Sequence, residues 1–345
     1  MARVILLSSH ENETERLLPL CQALSRQHKA SLIETWRKTP SWRTARFFGP
    51  RSEAFVSMLA ILLHLPRIVV LTYISKRSPL AKLLIYFKPF FKFKVLFVPH
   101  GVSSLYDPAT YGSAEVSGKG ISPVADLYLL ANENEQRWGV GKLIPHPERI
   151  RIAGDPKISP SYLASWKKNC EREQRPVVAV FMSNLGVHGL NPEKRGLILQ
   201  GLMKSVRSLF PKHAIHFKPH PRHRLLPNEL PADCDVKVMP PTVNSAALIA
   251  EAEYVITTPS STIYEAAGLA KKIIVVEIDH FLKGKDYVKT YTDTDRLVAV
   301  SLDKLGEIDP TQIVPFDDEA WLRRHAKGGV EDPLTLYLSL IDSLL

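Results

Sequence analysis

The chain has 345 residues, is 45% hydrophobic and only 8% aromatic, and carries a formal net charge of +10. That is enough apolar material for two ordinary cores and too little for one large barrel with appendages, so two domains are expected. Its three cysteines, Cys21, Cys170 and Cys234, are odd in number, far apart and outside any metal-ligand spacing, which argues against a disulfide framework or a zinc site and fits a reducing cytoplasm.

The opening MARVILLSSH turns polar after too few apolar residues for a signal peptide and reads as a strand over 4–7. A helical pattern follows over 13–27 and a strand over 30–35. From 35 to 106 there are twelve Lys or Arg against one acid, Glu53, so this segment carries +11 and the rest of the chain −1. Within it, 80–94 reads LAKLLIYFKPFFKFK, which interleaves lysines with Leu, Ile, Tyr and Phe as membrane-surface segments do. The favoured partner is an anionic cytoplasmic leaflet. Nucleic acid is the rival, but no DNA- or RNA-binding motif accompanies the segment, and the expectation is no nucleic acid. A solvated basic face is the plain alternative. Residues 55–74 have the length of a membrane span, but His64, Pro66 and Arg67 interrupt it. A buried helix over 55–65 and a buried strand over 67–73 place no charge in lipid.

Strands are expected over 95–98, 127–130 and 150–153, and Gly154-Asp155-Pro156 is a turn. The polar run 167–175, ending at Pro176, marks a boundary, giving domains 1–165 and 175–345. The second half continues with strands over 177–182, 214–217 and 236–239, helices over 193–209 and 244–251, and a closing helix over 333–345 apolar enough to dock. Alternating strands and helices mean parallel sheets. The predicted fold class is α/β, two doubly wound Rossmann-like domains facing a cleft.

The stretch 254–279, YVITTPSSTIYEAAGLAKKIIVVEID, reads strand, turn, helix, strand. Pro259 ends the pairing, and Ser260, Ser261 and Thr262 stand where a helix must begin. Ile263, Ala266, Ala267 and Ala270 form its apolar stripe, and no acid appears before Glu265. A helix end with hydroxyls beside it is a place to hold a phosphate. The plain alternative is that the serines cap a structural helix.

In such sheets ligands sit beyond the carboxyl ends of the strands. His100 follows one apolar run in Pro99-His100-Gly101 and is the candidate general base of the first domain, or else a structural histidine. Ser183 and Asn184 follow another, and Asn132 to Glu135 a third. Lys218, His220 and Arg222 alternate along a segment stiffened by Pro219 and Pro221, so they share one side and suit phosphate contact. A basic loop facing solvent is the alternative. No dinucleotide glycine loop, P-loop, nucleophile elbow or zinc-protease helix occurs. Two D-x-D triplets, at 233–235 and 293–295, read as surface loops. The expectation is metal-independent transfer without a cofactor, the activated nucleotide being a substrate.

Phe97-Val98-Pro99-His100-Gly101, 129–134, 151–156, 217–221 and 256–265 occur in the order seen in CDP-glycerol glycerophosphotransferases of teichoic acid synthesis. The His-Pro and Ser-Ser pair also resembles bacterial capsule glycosyltransferases that use CMP-activated sugars. The resemblance covers roughly 94–291 and implies the GT-B fold. It further implies an inverting, metal-independent transferase, with His100 as general base and His220, Lys218 and Arg222 at the donor phosphate. Ser260, Ser261 and Thr262 would hold the phosphates, and Glu265 the ribose. A CMP- or CDP-activated sugar or polyol would then pass to a capsular, lipopolysaccharide or teichoic-type polysaccharide on a lipid carrier. The protein would work in the cytoplasm, peripheral at the inner face of the bacterial cytoplasmic membrane. Two other readings stand beside this one: a UDP-sugar glycosyltransferase or 2-epimerase of the same fold, and a non-catalytic GT-B-like protein that binds nucleotide or polysaccharide.

Overall fold

Short runs of β-branched and large apolar residues, too apolar to leave either face in water, become parallel strands buried on both sides. The computed structural model describes residues 1–8, 11–34, 49–72, 78–99, 122–139, 144, 146–168, 174–183, 190–220, 225–226, 229–231, 234–240, 242–278 and 290–345. These residues form two units, Met1–Ser159 with Arg323–Leu345, and Pro160–Leu322.

The first unit holds strands β1 (Arg3–Ser8), β2 (Lys29–Glu34), β3 (Ile68–Thr72), β4 (Lys94–Val98), β5 (Leu127–Leu130) and β6 (Ile150–Ile152). Its helices are α1 (Glu11–Leu24), α2 (Gly49–His64), α3 (Pro79–Phe91) and α4 (Glu133–Gly139). The sheet order is β2-β1-β3-β4-β5-β6, all parallel. Ile5, Leu7, Val69, Leu71 and Phe97 pack with Met58, Ile61 and Leu84 from α2 and α3. Residues 55–64 lie in α2 and 68–72 in β3, and among the described residues no helix is long and apolar enough to cross a membrane.

The second unit runs α5 (Pro160–Lys168), β7 (Val177–Phe181), α6 (Pro192–Leu209), β8 (Ala214–Lys218), β9 (Val236–Val238), α7 (Ser245–Glu251), β10 (Tyr254–Thr257), α8 (Thr262–Gly268), β11 (Lys272–Glu277) and β12 (Val298–Ser301). Its sheet is again wholly parallel, ordered β12-β11-β10-β7-β8-β9. One face packs Val178, Val180, Ile215 and Phe217 against Leu199, Leu202, Met203 and Val206 of α6. On the other face α7 lies against β7 and α8 against β10. A short helix, α9 (Glu319–His325), carries the chain back to the first unit, where α10 (Pro333–Leu344) docks.

The expected second domain, 175–345, differs from this unit at both ends: α5 belongs to it and α10 does not. The reason is packing. Tyr337 and Ile341 are buried on the side of α10 that meets α1. Asp155 N–H donates to the Ala326 carbonyl (2.9 Å), Asn132 Nδ2 to the His325 carbonyl (2.7 Å), and the Tyr337 hydroxyl to the Gly154 carbonyl (3.1 Å). Gly154 has φ of +78°, and a Cβ there would lie 2.7 Å from the Lys327 carbonyl, so this crossing requires glycine.

Candidate functional site

The second sheet changes winding direction between β7 and β10. The chain leaves β7 toward β8 on one side and β10 toward β11 on the other, which opens a crevice at their carboxyl ends. Two residues past β7, Ser183 N–H donates to Thr258 Oγ1 (3.0 Å), and the two hydroxyls are 2.7 Å apart. Thr257 Oγ1 lies 3.0 Å from the Thr258 carbonyl and 3.1 Å from Ser260 Oγ, which accepts from Thr262 N–H (3.3 Å). Ser183, Thr257, Thr258 and Ser260 therefore form a linked row of hydroxyls across the switch point. Ser261 stands at the helix entry in αR backbone and makes no side-chain cap bond. The helix is seven residues long, ending before Ala270, whose φ of +54° stops it. Its dipole is correspondingly small, and the hydroxyl row supplies the polarity expected of a helix end. Glu265 is buried in the first turn of α8.

On the neighbouring strand, Lys218 ends β8 and is buried, its Nζ donating to Ser245 Oγ (2.9 Å) at the start of α7. Asn244 caps α7 by accepting from Ala246 N–H (2.9 Å), and its Nδ2 lies 3.2 Å from the Tyr162 hydroxyl. Pro219 is buried and His220 half-buried. Of the three groups expected on one cationic side, Lys218 is thus turned into the fold and His220 reaches the rim. Arg222, Asn184 and His100 lie outside the described residues.

The first sheet has its own switch point, between β1 and β3, and its carboxyl edge is strongly polar. Ser8 and Thr14 share a hydroxyl contact (2.7 Å), and Thr72 donates to Glu13. Arg16 grips Asp155 with two nitrogens (3.0 and 3.3 Å) and donates a third bond to the Pro99 carbonyl (3.4 Å). Pro99 immediately precedes His100 in the sequence. Burial holds the nearby Tyr337 phenol well above its ordinary pKa, with the Asp155 and Glu135 carboxylates pushing the same way and Arg16 opposing.

Glu13 and Arg16 lie outside every motif segment, whereas Asp155 and Thr258 fall within 151–156 and 256–265 but receive no site role from those motifs. A signal exists for two of them, because Glu13 and Arg16 sit on the stripe of α1 that also carries Leu17, Leu20 and Leu24. Asn132 and Glu135 are explained locally. Asn132 accepts from Glu135 N–H (3.0 Å), an N-cap that starts α4, and Glu135 accepts from the N–H of Ala131, the residue before that cap.

Two wholly parallel doubly wound units, each with a polar switch point, define a GT-B type of fold. The sequence matches no family model and no curated protein. Solved structures do match over their whole length. The Staphylococcus aureus MnaA-UDP structure aligns with a TM-score of 0.62 at 13% identity, covering 99% of this chain and 96% of that one. The UDP-GlcNAc 2-epimerase of Methanocaldococcus jannaschii, solved with UDP-GlcNAc and UDP, gives 0.63 at 14%, covering 99% and 100%. The glycosyltransferase SnogD of Streptomyces nogalater gives 0.54 at 14%, covering all of both chains.

Proposed function

We propose that this chain is a nucleotide-sugar enzyme that binds a UDP-sugar at the hydroxyl row of the second unit and inverts the sugar at C2. The observation that carries the reading is the hydroxyl row at the switch point, Ser183 with Thr258 and Thr257 with Ser260, and His220 two residues past the neighbouring strand β8. Hydroxyls and a neutral or protonated imidazole suit ribose and diphosphate oxygens. Uridine is preferred to the cytidine nucleotide of the motif resemblance because the neighbours of higher TM-score are a UDP complex and a 2-epimerase solved with UDP-GlcNAc.

Calorimetry with UDP, UDP-GlcNAc, CMP and CDP tests the donor. The expected result is uridine-selective binding that weakens in His220→Ala. Cytidine selectivity would overturn it and restore the transfer of a sugar or glycerol phosphate to a surface polysaccharide. Inversion at C2 breaks and remakes the C2–H bond, so incubation with UDP-GlcNAc in D2O is expected to place deuterium at C2. Donor consumed only when an acceptor is added, with C2 unlabelled, would identify a glycosyltransferase instead. In either chemistry His100 is the proposed base. His100→Ala should lower turnover by about two to four orders of magnitude while nucleotide binding persists.

A further inference from the structure

Among the described residues thirteen large apolar side chains are exposed, and seven of them lie on or directly after two neighbouring helices, six on α2 and α3 and Leu65 just past the end of α2. Leu63, Leu65, Tyr86 and Phe90 are 71, 56, 66 and 70% exposed, too much area for scattered surface residues. Both helices run against the strands and so end at the amino edge of the first sheet, opposite Ser8, Thr72 and Pro99. Backbone bonds fix the arrangement. Arg3 donates its side chain to the His64 carbonyl (3.1 Å), Arg67 N–H donates to the Arg3 carbonyl (2.9 Å), and Lys94 N–H to the Arg67 carbonyl (2.8 Å). The end of α2, the end of α3 and the starts of β1, β3 and β4 therefore share one edge.

Helix α3 has two faces of different kinds. Ala81 and Leu84 are buried, with Leu80, Leu83 and Phe87 packed behind them. Tyr86 and Phe90 stand outward, their rings 5.8 Å apart. Pro89 lies within the helix, and Lys92 closes it in the left-handed conformation, φ 53°, donating to the Lys88 carbonyl. The lysines also divide. Lys88 and Lys94 contact Asp126 at 2.7 and 3.6 Å. Among the described residues Lys82, Lys92 and Arg67 make no ion pair and are exposed; Lys92 closes α3 and Arg67 follows α2, while Lys82 lies in the first turn of α3. Glu53 is the one acid from 35 to 106.

From this combination we infer that the amino edge of the first unit docks on an anionic lipid surface, with the ends of α2 and α3 entering the headgroup layer. Charge complementarity selects the occupant. An apolar patch rimmed by unpaired cations repels a second copy of itself and attracts phosphate headgroups, whose acyl boundary accepts Leu63, Tyr86 and Phe90. The segment needs no span, because its apolar area is spread along one surface. The docking edge is opposite the polar edge of the same sheet, so adsorption leaves that polar edge uncovered. The inference does not rest on the nucleotide reading, since vesicle binding is measured without nucleotide.

The test is flotation of the full chain with vesicles of phosphatidylglycerol and phosphatidylcholine, and with phosphatidylcholine alone. The wild type is expected to float only with the anionic vesicles and to be released by salt at ~0.5 M. Leu63→Ser/Phe90→Ser should lower vesicle partitioning by about tenfold or more, and Arg67→Glu/Lys92→Glu by at least about fivefold per charge. All four side chains are exposed, and an unchanged thermal melt verifies that the variants fold. Three results would each overturn the inference: no flotation with any vesicle, wild-type flotation by both variants, or a lipid-free dimer that Leu63→Ser/Phe90→Ser dissociates. The last outcome would assign the face to a second copy of the chain.

Discussion

Thr258 links the two strands that flank the crevice, because one hydroxyl serves both the amide and the side chain of Ser183. Thr258→Val keeps the shape and removes that hydroxyl. Calorimetry should show UDP binding about tenfold weaker, with a melting temperature only a few degrees lower. Arg16 and Asp155 pose a different problem, since both are buried and each neutralises the other. Arg16→Met leaves a buried carboxylate alone and should cost about 3–5 kcal/mol in urea unfolding. Arg16→Met/Asp155→Asn should recover much of that loss, because the asparagine keeps the oxygen that accepts from Lys157 N–H. Serines after apolar runs, Ser183 and Ser260 among them, are visible in the sequence as a break in hydropathy. Thr258 is harder to see because a threonine beside a strand reads as more strand. Arg16 is hidden for a related reason. Helical periodicity is counted on apolar residues, and a charged side chain on the buried stripe becomes conspicuous only when its partner, 139 residues away, is known.

Strands with continuous apolar runs, such as β3, β7 and the centre of β11, are legible from composition because a sheet interior accommodates such runs. The sheet-edge strand β12 escapes because it is four residues long and partly exposed, and α9 because seven residues show barely two turns of periodicity. The segment 80–94 has enough lysine and phenylalanine to announce a membrane surface, yet its division into a buried face and an exposed face follows from packing on β3 and β4. Strand β5 supplies a pH test. Burial pushes the Tyr128 phenol up to about 12, Arg149 pulling the other way, while its hydroxyl donates to the Ser122 carbonyl (2.7 Å). A phenol with its folded pKa above its unfolded value stabilises fully below about pH 10 and loses that contribution as pH rises toward 12. Unfolding free energy should therefore fall across this window, and fall less steeply in Tyr128→Phe.

The two units are not consecutive in sequence, since Arg323–Leu345 completes the unit that begins at Met1. Gly154 is where the returning segment crosses closest, and Gly154→Ala should lower stability by about 2 kcal/mol or more, read from thermal melting. Removing 323–345 should make 1–159 susceptible to limited proteolysis while 160–322 remains resistant. The closing helix is legible as an apolar, dockable segment, but its destination is not, because any exposed apolar stripe offers a binding surface and only three-dimensional complementarity selects α1. The same return governs the protein's birth. A ribosome releases the first 159 residues well before the last 23, and at ~5–20 residues per second the 163 residues between them take roughly 10–30 s to appear. During that interval the emerging first unit lacks Tyr337 and Ile341, so the part synthesised first is the part that finishes folding last.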